Sequence, residues 1–296
     1  MRQAIRNPVY VYLLLITLVG VSAAALSARE PPEGKKDKAE KENEKEPNVD
    51  EEWHKEAEKI LNGIELEMLV GENWAKVKRT EKPLLYYSEP TRNHDRGSVW
   101  AWGEKGRPVA LAKLCQQVGV RSRWKISITN TSGGKLRASR DNARWWLENE
   151  SAVEFKGILD APAPATDEQQ RQRQLKQMAL KFTGHEFWDP DNSRYELRRL
   201  ERPLHTYKDE NGGTQVGALY TLANGTNPEI MLFIEARVDP KNGTKATWQF
   251  LVGRLAHAEL HLEYDGKEVF TAPRANRLSG PEKPYWLSFI YLNNEP

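Results

Sequence analysis

The densest run of groups able to do chemistry is His257-Ala258-Glu259-Leu260-His261-Leu262-Glu263. On a strand, two-residue spacing puts both imidazoles and both carboxylates on one face. Imidazole with carboxylate is a ligand set for a divalent metal, so His257, Glu259 and His261 are candidate metal ligands. With a metal bound, the chemistry would be hydrolysis. The competing reading is a half-buried strand with a polar outer face. The second constellation is aromatic. The chain has 10 Trp, and Trp100 and Trp102 share one strand face. Exposed, such rings stack on sugars; buried, they are core. Trp100, Trp102 and Tyr220 are therefore candidate carbohydrate contacts, Tyr220 standing at the position that aligns with Trp100.

That alignment comes from a sequence written twice. Lys82-Pro83-Leu84-Leu85-Tyr86-Tyr87 and Arg202-Pro203-Leu204-His205-Thr206-Tyr207 open two blocks that align without a gap. The shift pairs Arg79 with Arg199, Glu81 with Glu201, Pro83 with Pro203, Leu84 with Leu204, Tyr87 with Tyr207, Gly97 with Gly217 and Pro108 with Pro228. Further on, Trp124 to Ile128 matches Trp248 to Val252, and Leu136-Arg137-Ala138 matches Leu260-His261-Leu262. A repeat of this length changes the fold expected. It also weighs against the metal, because the first copy carries Gly133, Lys135, Arg137 and Ser139 where the second has the His/Glu run.

The elements that must position these groups follow in order. Residues 1–28 read as an export signal, with Arg2 and Arg6 before an apolar run from Val9 and small residues to Ala28. If uncleaved, residues 9–26 would anchor the chain in a membrane. Residues 29–49 are a disordered charged linker, rich in Lys and Glu. Trp53, Ala57, Ile60, Leu61, Ile64 and Met68 predict a helix over 50–70. From Trp74 the period changes to two, and strands are expected around Leu84–Tyr87, Ser98–Trp102, Val109–Leu114, Trp124–Ile128, Leu136–Ala138 and Trp145–Leu147. An Ala/Pro linker, 161–166, precedes a helix over Gln169–Phe182 and a second strand block. Ile230–Ile234 reads as a central strand, Asp265-Gly266 as a hairpin turn and Tyr285–Tyr291 as a last strand. The fold class expected is mainly β with a few helices (α+β). It comprises two tandem related β-rich repeats, 50–160 and 167–296, each preceded by one amphipathic helix, as in a β-sandwich protein.

Forty-four basic and 42 acidic residues leave a net charge of +2 in 296 residues, too balanced for a nucleic-acid partner. A single cysteine, Cys115, excludes an intramolecular disulfide. No phosphate-binding glycine loop, nucleophile elbow or zincin motif is present, and no cofactor is expected. The signal, the Ala161-Pro162-Ala163-Pro164-Ala165 linker, Arg194-Tyr195-Glu196-Leu197-Arg198 and Gly225-Thr226-Asn227-Pro228-Glu229 resemble a group of exported proteins of planctomycete-type bacteria. That resemblance implies location and architecture and supplies no site. The function expected is an exported, non-catalytic binding or envelope scaffold protein, periplasmic or secreted. Its partner would be a cell-envelope polysaccharide or protein. The alternatives are a carbohydrate-binding module using Trp residues and a metal-dependent hydrolase at His257 and His261.

Overall fold

The computed structural model describes residues 49–92, 94–103, 105–117, 120–141, 143–150, 154–188, 191–209, 213–238, 245–275 and 284–291. The readings on 1–48, export signal and charged linker, lie outside them. No helix among the described residues is long and apolar enough to cross a membrane.

The first half opens with α1 (Val49–Asn62). Its strands are β1 (Ile64–Val70), β2 (Asn73–Val77), β3 (Leu85–Glu89), β4 (His94–Trp102), β5 (Ala110–Gln117), β6 (Val120–Asn130), β7 (Lys135–Arg140), β8 (Ala143–Glu150) and the two-residue β9 (Lys156–Gly157). The second half opens with α2 (Glu168–Leu180). It continues through β10 (Phe182–Trp188), β11 (Ser193–Arg199), β12 (His205–Asp209), β13 (Thr214–Asn224), β14 (Asn227–Val238), β15 (Ala246–Arg254), β16 (Glu259–Tyr264), β17 (Lys267–Ala272) and β18 (Tyr285–Tyr291). The fold is mainly β, with two helices among the described residues.

Both helices are shorter than the sequence predicts. Ile64 and Met68 fit a helical stripe, yet Ile64-Glu65-Leu66-Glu67-Met68 also alternates, and β1 takes the alternating solution. Likewise α2 stops at Leu180, and Phe182 opens β10. With β1 and β10 included, each half has eight strands before its last. α1 buries Trp53, Ala57, Ile60 and Leu61, and Asp50, Glu51 and Glu52 sit at its positive end. In α2, Asp167 caps the first turn by accepting from Gln170 N at 2.9 Å, and Leu175, Met178 and Ala179 face inward.

The strands pair in the same order and register in both halves. β3 on β4 sets Leu85 against Val99 and Tyr87 against Gly97; β12 on β13 sets His205 against Leu219 and Tyr207 against Gly217. β1 on β7 sets Met68 against Leu136, as β10 on β16 sets Glu186 against Leu260. The halves differ at a join. Arg198 and Arg199 pair with Ala223 and Leu222, fusing the second half into one nine-stranded sheet that includes β9. In the first half, among the described residues, only the bridge of Arg79 to Trp102 links the four-stranded sheet (β2-β1-β7-β8) to the five-stranded one (β18-β6-β5-β4-β3). The last strands cross over. β9 leaves the first half to pair with β15, and β18 leaves the second to pair with β6.

Three apolar cores follow from strand alternation. One joins α1, β1 and β7 to Trp100, Trp102, Trp124, Ile126 and Ile128. Its counterpart joins α2, β10 and β16 to Tyr220, Leu222, Leu232, Ile234 and Phe250. The third lies between the halves: Ala101 and Leu111 meet Tyr207, Leu219, Met231, Phe233 and Leu251. β4, β5, β13 and β14 are therefore buried on both faces, and the first ten residues of β14 are all buried.

The paired glycines have a steric reason. A Cβ on Gly97 would lie 2.2 Å from Tyr87 Cζ, and one on Gly217 would lie 2.4 Å from Tyr207 Cε2. Each tyrosine ring lies across the strand over a residue with no side chain. Gly217→Ala is expected to cost about 1–3 kcal/mol by forcing Tyr207 off its strand. Gly157→Ala, whose Cβ meets nothing within 4 Å, should stay within about 0.5 kcal/mol of the parent. Urea unfolding of the two variants side by side checks this.

Candidate functional site

One described recess is a cleft of about 440 Å³ in the first half, within the usual range for small-ligand sites. α1 supplies Asp50, Trp53 and His54, β3 supplies Tyr86 and Ser88, and β4 supplies Arg96. Thr226, in the turn between β13 and β14, closes the far side. Helical spacing explains the first wall: Trp53 belongs to the buried stripe, and His54 is carried one residue round onto its flank. Strand alternation explains the second: Tyr87 points into the protein, so Tyr86 points out.

The wall is aromatic and the rim is polar. The Tyr86 ring is 48% exposed and lies 4.5 Å from His54, tilted by 33°. Trp53 stands edge-on to Tyr86 at 6.1 Å and stacks on Trp124 at 5.5 Å, which fixes the wall to the core. Across the opening Arg96 Nε faces Asp50 Oδ1 at 3.3 Å. Thr226 Oγ1 donates to Ser88 O at 2.8 Å and accepts from Ser88 N at 3.1 Å, so the second half caps the outer edge of β3. Burial and the nearby Glu58 carboxylate raise the Tyr86 phenol above its ordinary value, so its hydroxyl is a neutral donor and acceptor at neutral pH.

The matching place in the second half is built differently. Trp53, His54, Tyr86 and Ser88 are replaced there by Arg171, Gln172, Thr206 and Lys208. Lys208 Nζ meets Glu168 Oε1 at 2.8 Å, and Arg171 donates to the carbonyls of Ala165 and Thr166 at 2.8 and 2.6 Å. The aromatic wall belongs to one half alone.

The residues singled out in the sequence lie elsewhere. Trp100 and Trp102 are each 1% exposed and Tyr220 is 3% exposed. Trp100 Nε1 donates to Ser98 Oγ at 2.8 Å, and the Arg79 guanidinium lies 4.4 Å from its ring centre. Arg199 covers Tyr220 in the same way at 5.5 Å. No ring face is free for a sugar, because a strand with two buried faces has no solvent side. All three positions lie in the packed core. The His/Glu run is also placed otherwise than one strand face. β16 begins at Glu259, so His257 precedes the strand and packs against Trp188 at 4.6 Å. His261 Nδ1 meets Glu268 Oε2 at 2.8 Å, and its Nε2 meets Glu259 Oε1 at 3.1 Å. Among the described residues, no group of three or more His, Cys, Asp or Glu side chains is placed to hold a metal.

His261 instead stacks flat on His185 at 4.6 Å. Burial pulls His261 down, but its bonds to Glu268 and Glu259 more than reverse this, so it titrates above the ordinary 6.5. Burial, Arg194 and the His261 charge move His185 below it.

Trp100→Ala and Trp102→Ala should each lower stability by about 3–5 kcal/mol, as large deletions in a packed core do. Thermal unfolding followed by circular dichroism measures this. No protein-family model, no curated protein and no solved structure matches this chain, so its site is read from the geometry of its own residues.

Proposed function

We propose that this is an exported, non-catalytic binding protein that holds one ring-sized amphipathic ligand, a saccharide residue, in the cleft between α1 and the β3–β4 edge. The carrying observation is the half-exposed Tyr86 ring beside His54, in a recess of about 440 Å³ rimmed by Arg96, Asp50, Ser88 and Thr226. A flat ring takes the apolar face of a sugar, and the polar rim takes its hydroxyls. Export rests on the N-terminal sequence, and descent of the two halves from one duplicated unit rests on their shared pairing order.

The site's contacts are ring on ring, one ion pair and backbone hydrogen bonds, which is recognition chemistry. A panel of soluble cell-wall and storage oligosaccharides, titrated calorimetrically against the purified chain, should include one that binds. Tyr86→Ala and His54→Ala should weaken that binding about tenfold or more, equivalent to about 1.4 kcal/mol, with the melting temperature unchanged. Binding that survives both substitutions would move the site elsewhere.

A further inference from the structure

The surface between the halves buries charge as well as apolar area. The first half contributes Glu89 from β3, Arg92 from the turn after it and Lys113 from β5. The second contributes Glu186 from β10 and Glu229 from β14. Arg92 Nη2 lies 2.7 Å from Glu186 Oε1, its Nε 3.1 Å from Glu89 Oε1 and its Nη1 3.7 Å from Glu229 Oε1. Lys113 Nζ lies 3.7 Å from Glu229 Oε1 and donates to Pro228 O at 2.6 Å. Asn227 Nδ2 spans two carboxyls, at 2.5 Å from Glu89 Oε2 and 2.6 Å from Glu229 Oε1. Side-chain exposure is 0% for Glu186, 2% for Glu229, 5% for Lys113, 6% for Glu89 and 9% for Arg92.

The count does not balance. Within ion-pair distance, three buried carboxyls share two cations, Arg92 and Lys113, with Lys125 and His257 lining the adjoining recess, and an unpaired buried charge is among the costliest things a fold can hold. Hydrogen bonding is incomplete as well: among the described residues, Glu186 Oε2 and Asn227 Oδ1 are buried with no hydrogen-bond donor, and Arg92 Nη2, though 2.7 Å from Glu186 Oε1, is buried without a well-aligned hydrogen bond. One added proton lowers the negative charge of the cluster and supplies one further donor. We propose that the two halves are clasped by a proton held in this cluster at neutral pH, on Glu229, and that losing it loosens the seam.

Other features agree. Glu229 faces Arg92, Lys113, Glu186 and Glu89, and Lys125, His257 and Tyr285 line the same small recess, which has room for about one water molecule. Burial pushes Glu229 up to about 8, against the pull of Lys113 and Arg92. Burial also raises Glu89. A carboxyl raised in the folded state favours folding most below its unfolded value of 4.5. That contribution fades as the pH climbs toward 8. The seam is therefore tightest in acid and slackens in alkali, opposite to an ordinary salt bridge.

The test compares urea unfolding of the full chain with that of Glu229→Gln, which keeps the shape and cannot ionise. Relative to the variant, the parent's unfolding constant should rise by about tenfold or more between pH 5 and pH 9, since a carboxyl that ionises one pH unit higher when folded changes that constant by a factor of about ten. Parallel pH profiles overturn the proposal. Infrared spectroscopy of the unmodified chain gives a second reading that needs no variant. A protonated-carboxyl band should persist at pH 7 and vanish by about pH 9, given a value near 8. Its absence at pH 7 also overturns the proposal.

Discussion

The contact that everything else depends on is the packing of β4 and β5 of the first half against β13 and β14 of the second. It leaves those strands with no solvent side. Alternate residues must then serve two cores: Trp100 and Trp102 face α1, while Ala101 between them faces Leu219 and Phe233 of the other half. On the seam face Ala101 and Leu111 of the first half meet Leu219, Met231, Phe233 and Leu251 of the second, and the far faces fill each half's own core. The two glycine–tyrosine pairs belong to the same design, since each ring lies flat where any side chain would hold the strands apart. The crossed strands β9 and β18 reinforce it, each half completing the other's sheet.

A shared frame leaves room for the halves to differ where the frame is not at stake. Backbone bonds recur closely: Leu84 N to Val99 O and Leu204 N to Leu219 O are both 2.7 Å, and Thr131 N to Val109 O and Leu255 N to Glu229 O are 2.9 and 2.8 Å. Side chains at the helix–edge corner do not recur. The first half has rings there and a cleft; the second has an ion pair. Tyr87 and Tyr207 hold the same pose with different partners, as Tyr207 OH donates to Glu235 Oε1 at 2.7 Å while Cys115 stands at the matching place beneath Tyr87.

Much of this was legible in the sequence because it was written in backbone chemistry. Pro83, Pro203, Gly97 and Gly217 announce one geometry used twice, and Asp265-Gly266 adopts the left-handed turn its residues predict, at φ 52° and 75°. What misled was periodicity over short spans, where Ile64 to Met68 satisfies helix and strand alike. Sites were harder. The sequence shows that Trp100 and Trp102 share a face, but burial of both faces depends on a second sheet about 120 residues away in the chain. Tyr86 carried a signal of its own, as the polar-side neighbour of a conformationally constrained Tyr87. Lys113 and Glu229 carried none: each looks like an ordinary charged strand residue until the halves are brought together.

Charge on the seam is unequally shared, and this bears on why the halves pair with each other. The first half presents Arg92, Lys113 and Arg107 beside one carboxyl, Glu89. The second presents Glu186, Glu229 and Glu235, with Arg107 Nε 3.3 Å from Glu235 Oε1. The apolar faces are unequal too, Ala101 and Leu111 coming from the first half and Tyr207, Leu219, Met231, Phe233, Leu251 and Leu255 from the second. Two first halves face to face would leave an excess of cations at the seam, and two second halves an excess of acidic groups. Each arrangement would forfeit the compensation that makes buried charge tolerable. The polar residues thus act together with the unequal apolar faces to favour the pairing of unlike halves.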